Sequence, residues 1–154
     1  MTIHATLCQV IRDGRILLLL KDPGRFGEGK WNGPGGKVDE GETPLEGVVR
    51  EVREETGLTI LDPELKGEID FYFGEKDDPD WHVHVFKATR FTGKLKQGDE
   101  GELRWFRVSD IPYSKMWQDD EQWLPILLDG KRFQGVFWFN TDGSELIRYE
   151  LDEK

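Results

Sequence analysis

The sequence is poor in several things at once, and each absence removes a class of protein. It has one cysteine, Cys8, so no disulfide can form within the chain, and the residue reads as a small buried hydrophobe in a reducing compartment. Its longest uninterrupted apolar run, Ile16 to Leu20, is five residues, against the ~20 that a membrane helix needs. The opening Met1-Thr2-Ile3-His4 has no basic stretch leading into an apolar one, so no signal peptide is read and a cytoplasmic location is expected. Basic residues are outnumbered, 21 Lys and Arg against 31 Asp and Glu, for a net charge of −10 and a pI near 4.8. A long nucleic-acid duplex is therefore not an expected partner, because duplex binding relies on Lys and Arg neutralising phosphates. A small phosphorylated ligand held through metal ions is compatible with that charge. Repeats, low-complexity tracts and linkers long enough to divide the chain are also missing, and 154 residues suit one domain spanning 1–154.

What is present alternates between strand patterns and turns. Residues 5–11 and 15–20 are apolar runs separated by Asp13-Gly14, which predicts a hairpin. Residues 22–42 hold seven glycines and two prolines, a long loop of the kind that usually carries function. Thr43, Pro44 and Glu46 then form a Thr-x-x-Glu helix start, Leu45, Val48, Val49 and Val52 recur on one face, and Gly57 supplies the stop. Strands are predicted at Ile69–Phe73, His82–Phe91 and Leu103–Val108, and a second helix from about Asp119 to Leu128, with Pro125 inside it. Gly135–Asn140 and Glu145–Leu151 read as a closing hairpin through Thr141-Asp142-Gly143. The expected fold class is α/β (α+β), a mixed sheet with helices on its faces.

The first helix is unusually acidic along one flank. With Leu45 at 0°, Glu54 falls near 180°, Glu51 near 240° and Glu55 near 280°, so three carboxylates share an arc of about 100°. Such an arc is a solvated face laced with Arg–Glu pairs, Arg50 to Glu54 among them, or a site for hard divalent cations, which take oxygen ligands. Spacing alone points to the first reading, and the glycine-rich loop directly before the helix, with Glu42, raises the second beside it. Elsewhere, Asp119 and Asp120 are adjacent acids beside Trp117 and Trp123. Acids in a helix's first turn are common, but that does not account for the flanking indoles. In an apolar cavity, desolvation and mutual repulsion would keep one of the two protonated, presenting one donor and one acceptor. His82 and His84 alternate on one strand at a spacing that can hold zinc. With no cysteine or third histidine at a suitable spacing, they are read as partly buried strand histidines.

Gly36, Glu42 and Arg50-Glu51-Val52-Arg53-Glu54-Glu55-Thr56-Gly57-Leu58 match all nine specified positions of the 23-residue Nudix box, and the chain resembles that family. The resemblance implies an α/β/α sandwich with a mixed central sheet and metal-dependent hydrolysis of a nucleoside diphosphate linked to another group. It extends along the chain. Phe26-Gly27, Gly29 to Gly33, Gly35 to Val38, His84 to Phe86, Asp99-Glu100, Met116-Trp117, Asp119-Asp120 and Trp123 are similar to the branch that hydrolyses oxidised purine nucleoside triphosphates. That branch cleaves substrates such as 8-oxo-dGTP and 2-oxo-dATP to the monophosphate and pyrophosphate. The resemblance implies Mg²⁺ or Mn²⁺ ligands at Glu51, Glu54, Glu55, Glu100 and the Gly35 carbonyl. Glu51 is the favoured proton acceptor, with Glu54 or Glu100 as alternatives, and Lys37 meets the phosphates. Glu42 and Arg50 fix the loop against the helix. Substrate contacts are expected from Thr6, Lys21, Phe26, Asn32, Pro34, Gly35, Gly36, Phe71, Trp117, Asp119, Asp120 and Trp123. Pro34 and Gly101 stand where the human-type member has a bulky aromatic and a methionine, so the pocket here is larger or differently shaped. The alternatives are another modified or ordinary nucleotide, an RNA 5′ end, or a nucleotide-binding module without turnover. Nothing calls for a protein partner, and a monomer is expected.

Overall fold

The computed structural model describes residues 1–24, 27–96 and 101–154. β1 (Ile3–Arg12) and β2 (Arg15–Lys21) form the expected hairpin, with Arg12 opposite Arg15 across a two-residue turn in which Asp13 and Gly14 both have positive φ. That turn matches the twist of paired strands. β3 (Trp31–Asn32) and β4 (Gly35–Lys37) are short strands within the glycine-rich loop. They are followed by α1 (Pro44–Thr56), β5 (Leu58–Leu61), β6 (Glu64–Phe73), β7 (Trp81–Ala88), β8 (Arg90–Gly93), β9 (Gly101–Arg107), α2 (Asp120–Leu128), β10 (Phe133–Phe139) and β11 (Leu146–Glu153).

The main sheet runs β11-β10-β6-β7-β1-β2-β3, with β4 also on β1 and β9 on β2. It is mixed: β1 is parallel to β7 and β10 parallel to β6, and the remaining pairs are antiparallel. Side chains alternate between its two faces, and each face has its own core. Ala5, Val83, Val85 and Ile69 pack with Trp123, Leu124 and Leu127 of α2. Cys8, Val10, Phe86 and Ala88 pack with Val48 and Val52 of α1. The helices therefore cover opposite faces, an α/β/α sandwich. Among the described residues no helix is long and apolar enough to cross a membrane.

Three details depart from the sequence reading. The strand expected over 82–91 is two: β7 pairs with β6 and β1, whereas β8 turns away to pair with β5, a strand the periodicity did not reveal. Leu45 is not part of the buried helix face; it is half exposed in the first turn, and the packing is carried by Val48, Val49 and Val52. α2 begins at Asp120, and Pro125 is accommodated inside it.

Candidate active site

The glycine-rich loop is locked onto α1 before any ligand is considered. Thr43 accepts from the Glu46 amide at 3.1 Å and Glu46 accepts from the Thr43 amide at 2.9 Å, closing the capping box. One turn on, Arg50 gathers the loop. Its Nε and Nη2 donate to the two Glu42 oxygens at 2.8 and 3.0 Å, and Nη2 also donates to the Lys37 carbonyl at 3.0 Å. Its Nη1 donates to Glu51 at 2.9 Å and Glu54 at 3.2 Å. The bidentate guanidinium holds the Glu42 carboxyl down to about pKa 2, aided by the Asp39 amide.

The three helix carboxylates have different surroundings. Glu55 is buried between strands, where Oε1 accepts from the Gly35 amide at 2.7 Å and Oε2 from Lys21 Nζ at 3.3 Å. Burial raises its pKa to about 7 against the opposing pull of Lys21 and the amide. Glu51 lies against Gly36, where a Cβ would come within 2.6 Å of its carboxyl carbon. That close approach explains why residue 36 has no side chain. Glu54 is the open one, its side chain 58% exposed. An all-oxygen set of this kind suits a hard cation such as Mg²⁺.

Next to the box is a cavity of about 340 Å³. Thr6, Lys21, Asn32, Gly35, Gly36 and Lys37 line its box side, and Phe71, Phe73, Trp81, Val83 and Trp117 give it apolar walls. Asp119 and Asp120 also line it, each at most 3% exposed. Asp119 does not cap α2; its Oδ2 instead accepts from the indole of Trp123 at 2.7 Å. Asp120 Oδ2 is buried without a hydrogen-bond partner among the described residues. Burial raises the Asp119 pKa to about 6 despite the Trp123 donor, and burial plus the charge of Asp119 raises Asp120 well above the ordinary range. A buried carboxyl lacking a partner costs stability, so the pair is disposed to receive a ligand with its own donors and acceptors.

The NUDIX domain family matches residues 2–127. The chain belongs to the Nudix family. It is 44% identical over 149 residues to the oxidized purine nucleoside triphosphate hydrolase of Danio rerio and 41% identical to that of Mus musculus, covering 96% of this chain and 93% of the relative in each case. Among solved structures, a mutator MutT protein from Bacillus halodurans superimposes with a TM-score of 0.87 at 35% identity, covering 97% of both chains.

Within this Nudix fold, the residues expected at the site do not all fall in one place. Asn32 lines the cavity with its carbonyl oxygen taken by the Gly33 amide at 2.9 Å, and Thr6 and Lys21 stand on adjoining strands. Trp123 does not line the cavity. It is fully buried, stacked on Phe133 at 5.3 Å, and is joined to the lining by its hydrogen bond to Asp119. Pro34 is likewise absent from the lining; its carbonyl accepts from the Cys8 amide. Gly101 pairs with Lys21 in β9, at the edge of the site. Phe26 and Glu100 lie outside the described residues. Sequence reasoning missed Ala5, Leu7, Gly33, Phe73, Trp81 and Val83. Alternation on β6 was the available signal for Phe73, two residues after Phe71, since i and i+2 share a face; on β1 the lining takes three successive residues, Ala5, Thr6 and Leu7, which alternation does not give.

Proposed function

We propose that this protein hydrolyses oxidised purine (deoxy)nucleoside triphosphates, such as 8-oxo-dGTP and 2-oxo-dATP, to the monophosphate and pyrophosphate, and so clears damaged precursors from the nucleotide pool. The observation that carries this reading is the buried Asp119–Asp120 pair in a cavity that reaches the Gly36/Glu51 box. A protonated and an ionised carboxyl side by side offer one donor and one acceptor. That set complements the altered edge of an oxidised guanine, and moving the proton suits an oxidised adenine. Trp117 stacks on the base, Asn32 adds an amide, and Phe71 closes a wall.

At the other end, Lys37 faces the phosphates, while Lys21, paired with Glu55, adds a substrate contact from β2. Glu51, Glu54, Glu55, Glu100 and the Gly35 carbonyl would hold Mg²⁺ or Mn²⁺, which when bound neutralises phosphate charge and makes water a better nucleophile. Glu51 accepts a proton from the attacking water as its oxygen bonds to phosphorus, and the bridging P–O bond breaks to release pyrophosphate. Glu54 and Glu100 are the alternative acceptors. Arg50 orients Glu51 and Glu54.

The test is pyrophosphate release from 8-oxo-dGTP, 2-oxo-dATP, dGTP and dATP, with Mg²⁺ and with EDTA. Metal-dependent turnover favouring an oxidised purine is expected. Turnover of 8-oxo-dGTP no faster than dGTP would remove the oxidised-purine assignment while keeping the hydrolysis.

A further inference from the structure

The strands that wall the purine cavity carry a second group of ligating side chains on their other face. Phe71, Trp81 and Val83 point to the cavity, so Glu68, Asp70, His82 and His84 project to the opposite side. Strand register sets Glu68 directly across from His84 and Asp70 across from His82. Glu68 Oε1 lies 3.0 Å from His82 Nε2 and 3.3 Å from His84 Nε2. Ligand atoms bound to a tetrahedral zinc at about 2.0–2.1 Å sit about 3.3 Å from one another, so both separations fit edges of such a shell. Among the described residues this is the one group of three His, Cys, Asp or Glu side chains whose ligand atoms all lie within 4.8 Å.

The outer contacts fit a ligating role. His82 Nδ1 is 2.6 Å from Asp70 Oδ1, and a proton on Nδ1 leaves the Nε2 lone pair directed at the Glu68 side. An imidazolium held between two carboxylates would account for His82 alone. It does not account for His84, whose ring stands edge-on to His82, whose Nδ1 is buried without a hydrogen-bond partner among the described residues, and whose Nε2 approaches the same glutamate oxygen.

We propose that Glu68, His82 and His84 form a divalent-metal site of the zinc class, with Asp70 orienting His82 and a fourth position open to water. Imidazole donors favour zinc and the later first-row ions, whereas the carboxylate box suits Mg²⁺, so the two sites draw different ions from a mixture. They are separate but near. Glu68, His84, Thr6 and Gly36 fall in one row across adjacent strands, which puts His84 two strand spacings, about 10 Å, from the glycine against Glu51.

The test titrates Co²⁺ into the full chain with Mg²⁺ in large excess and follows the visible absorption of tetrahedral cobalt. One equivalent should give the band, and Zn²⁺ should displace it. Glu68→Gln and His84→Gln, each checked for folding by circular dichroism, should abolish the band. Asp70→Asn should weaken binding roughly 10–100-fold, and Glu54→Gln should leave it intact. No tetrahedral band in excess Mg²⁺, a band that survives Glu68→Gln, or one lost in Glu54→Gln would each overturn the proposal. Should His84→Gln fail to fold, Glu68→Gln decides alone, because that carboxylate is partly exposed.

Discussion

Glu42, Glu51 and Glu54 gather around one guanidinium at the protein surface, while Asp119 and Asp120 sit side by side in the interior, where an indole N–H donates to Asp119 alone. The same functional group is thereby given opposite tendencies. Arg50 holds Glu42 ionised far below neutrality, whereas burial pushes both aspartates toward the protonated state. A triphosphate brings several negative charges and needs a region arranged for ions. A purine edge brings uncharged donors and acceptors and needs carboxyls that are not all ionised. The two ends of the cavity differ as the two ends of such a substrate do.

The sharpest way to break this comparison is to damage one end and ask whether the other notices. Glu54→Gln should lower kcat on the order of 10²-fold or more for every nucleotide tested, with Tm nearly unchanged because the side chain is largely exposed. A comparable loss is expected for Gly36→Ala, since the new Cβ displaces the Glu51 carboxyl and misplacement by about 1 Å can cost ~10²-fold. At the other end, Asp119→Ala should reduce kcat/KM for 8-oxo-dGTP by roughly 10–100-fold more than for dGTP, the scale of ~1–3 kcal/mol for a buried polar partner lost. Equal losses on all substrates would erase the division of labour.

Smaller effects sharpen it. Trp123→Phe removes the donor to Asp119, worth about 0.5–1.5 kcal/mol in urea unfolding. Because that donor holds the Asp119 pKa down, its loss should move the pH dependence of oxidised-purine preference upward. Stability itself should carry the signature of the pair. The Asp119 pKa is raised to about 6, so the folded state holds extra protons between about pH 4 and 6. Its stabilising contribution is full below that window and lost as pH rises through it. Glu55, its pKa raised to about 7, adds a decline of the same sign, so urea unfolding at about pH 5 and about pH 8 should show the sum, and Asp120→Asn should lessen it.

The two ends were also unequally legible. The box was readable because it is contiguous: Gly36 to Leu58 is one loop and one helix, and capping, charge flank and glycine stop are local properties. The aspartate pair was readable as residue types beside indoles, but Trp123 was expected in the lining when it is the support behind Asp119. Adjacency in sequence could not say which of two neighbouring tryptophans faced the cavity. The walls from β1, β6 and β7 depend on which strands pair and with which face inward, and the parallel β1–β7 pairing joins segments some 78 residues apart, as with Ile3 and Trp81. His82 and His84 alternate on one strand, and the sequence offers no third ligand at a suitable spacing. Glu68 came from the neighbouring strand, where no spacing rule reaches it.

That β7 lines the cavity with Trp81 and Val83 and carries His82 and His84 on its reverse has an evolutionary consequence. Inserting or deleting one residue within the strand would turn two imidazoles into the apolar chamber and carry a tryptophan and a valine to the other face. Change along β7 is therefore confined to substitution, and indels are expected to accumulate instead in the Gly74–Asp80 connection before it.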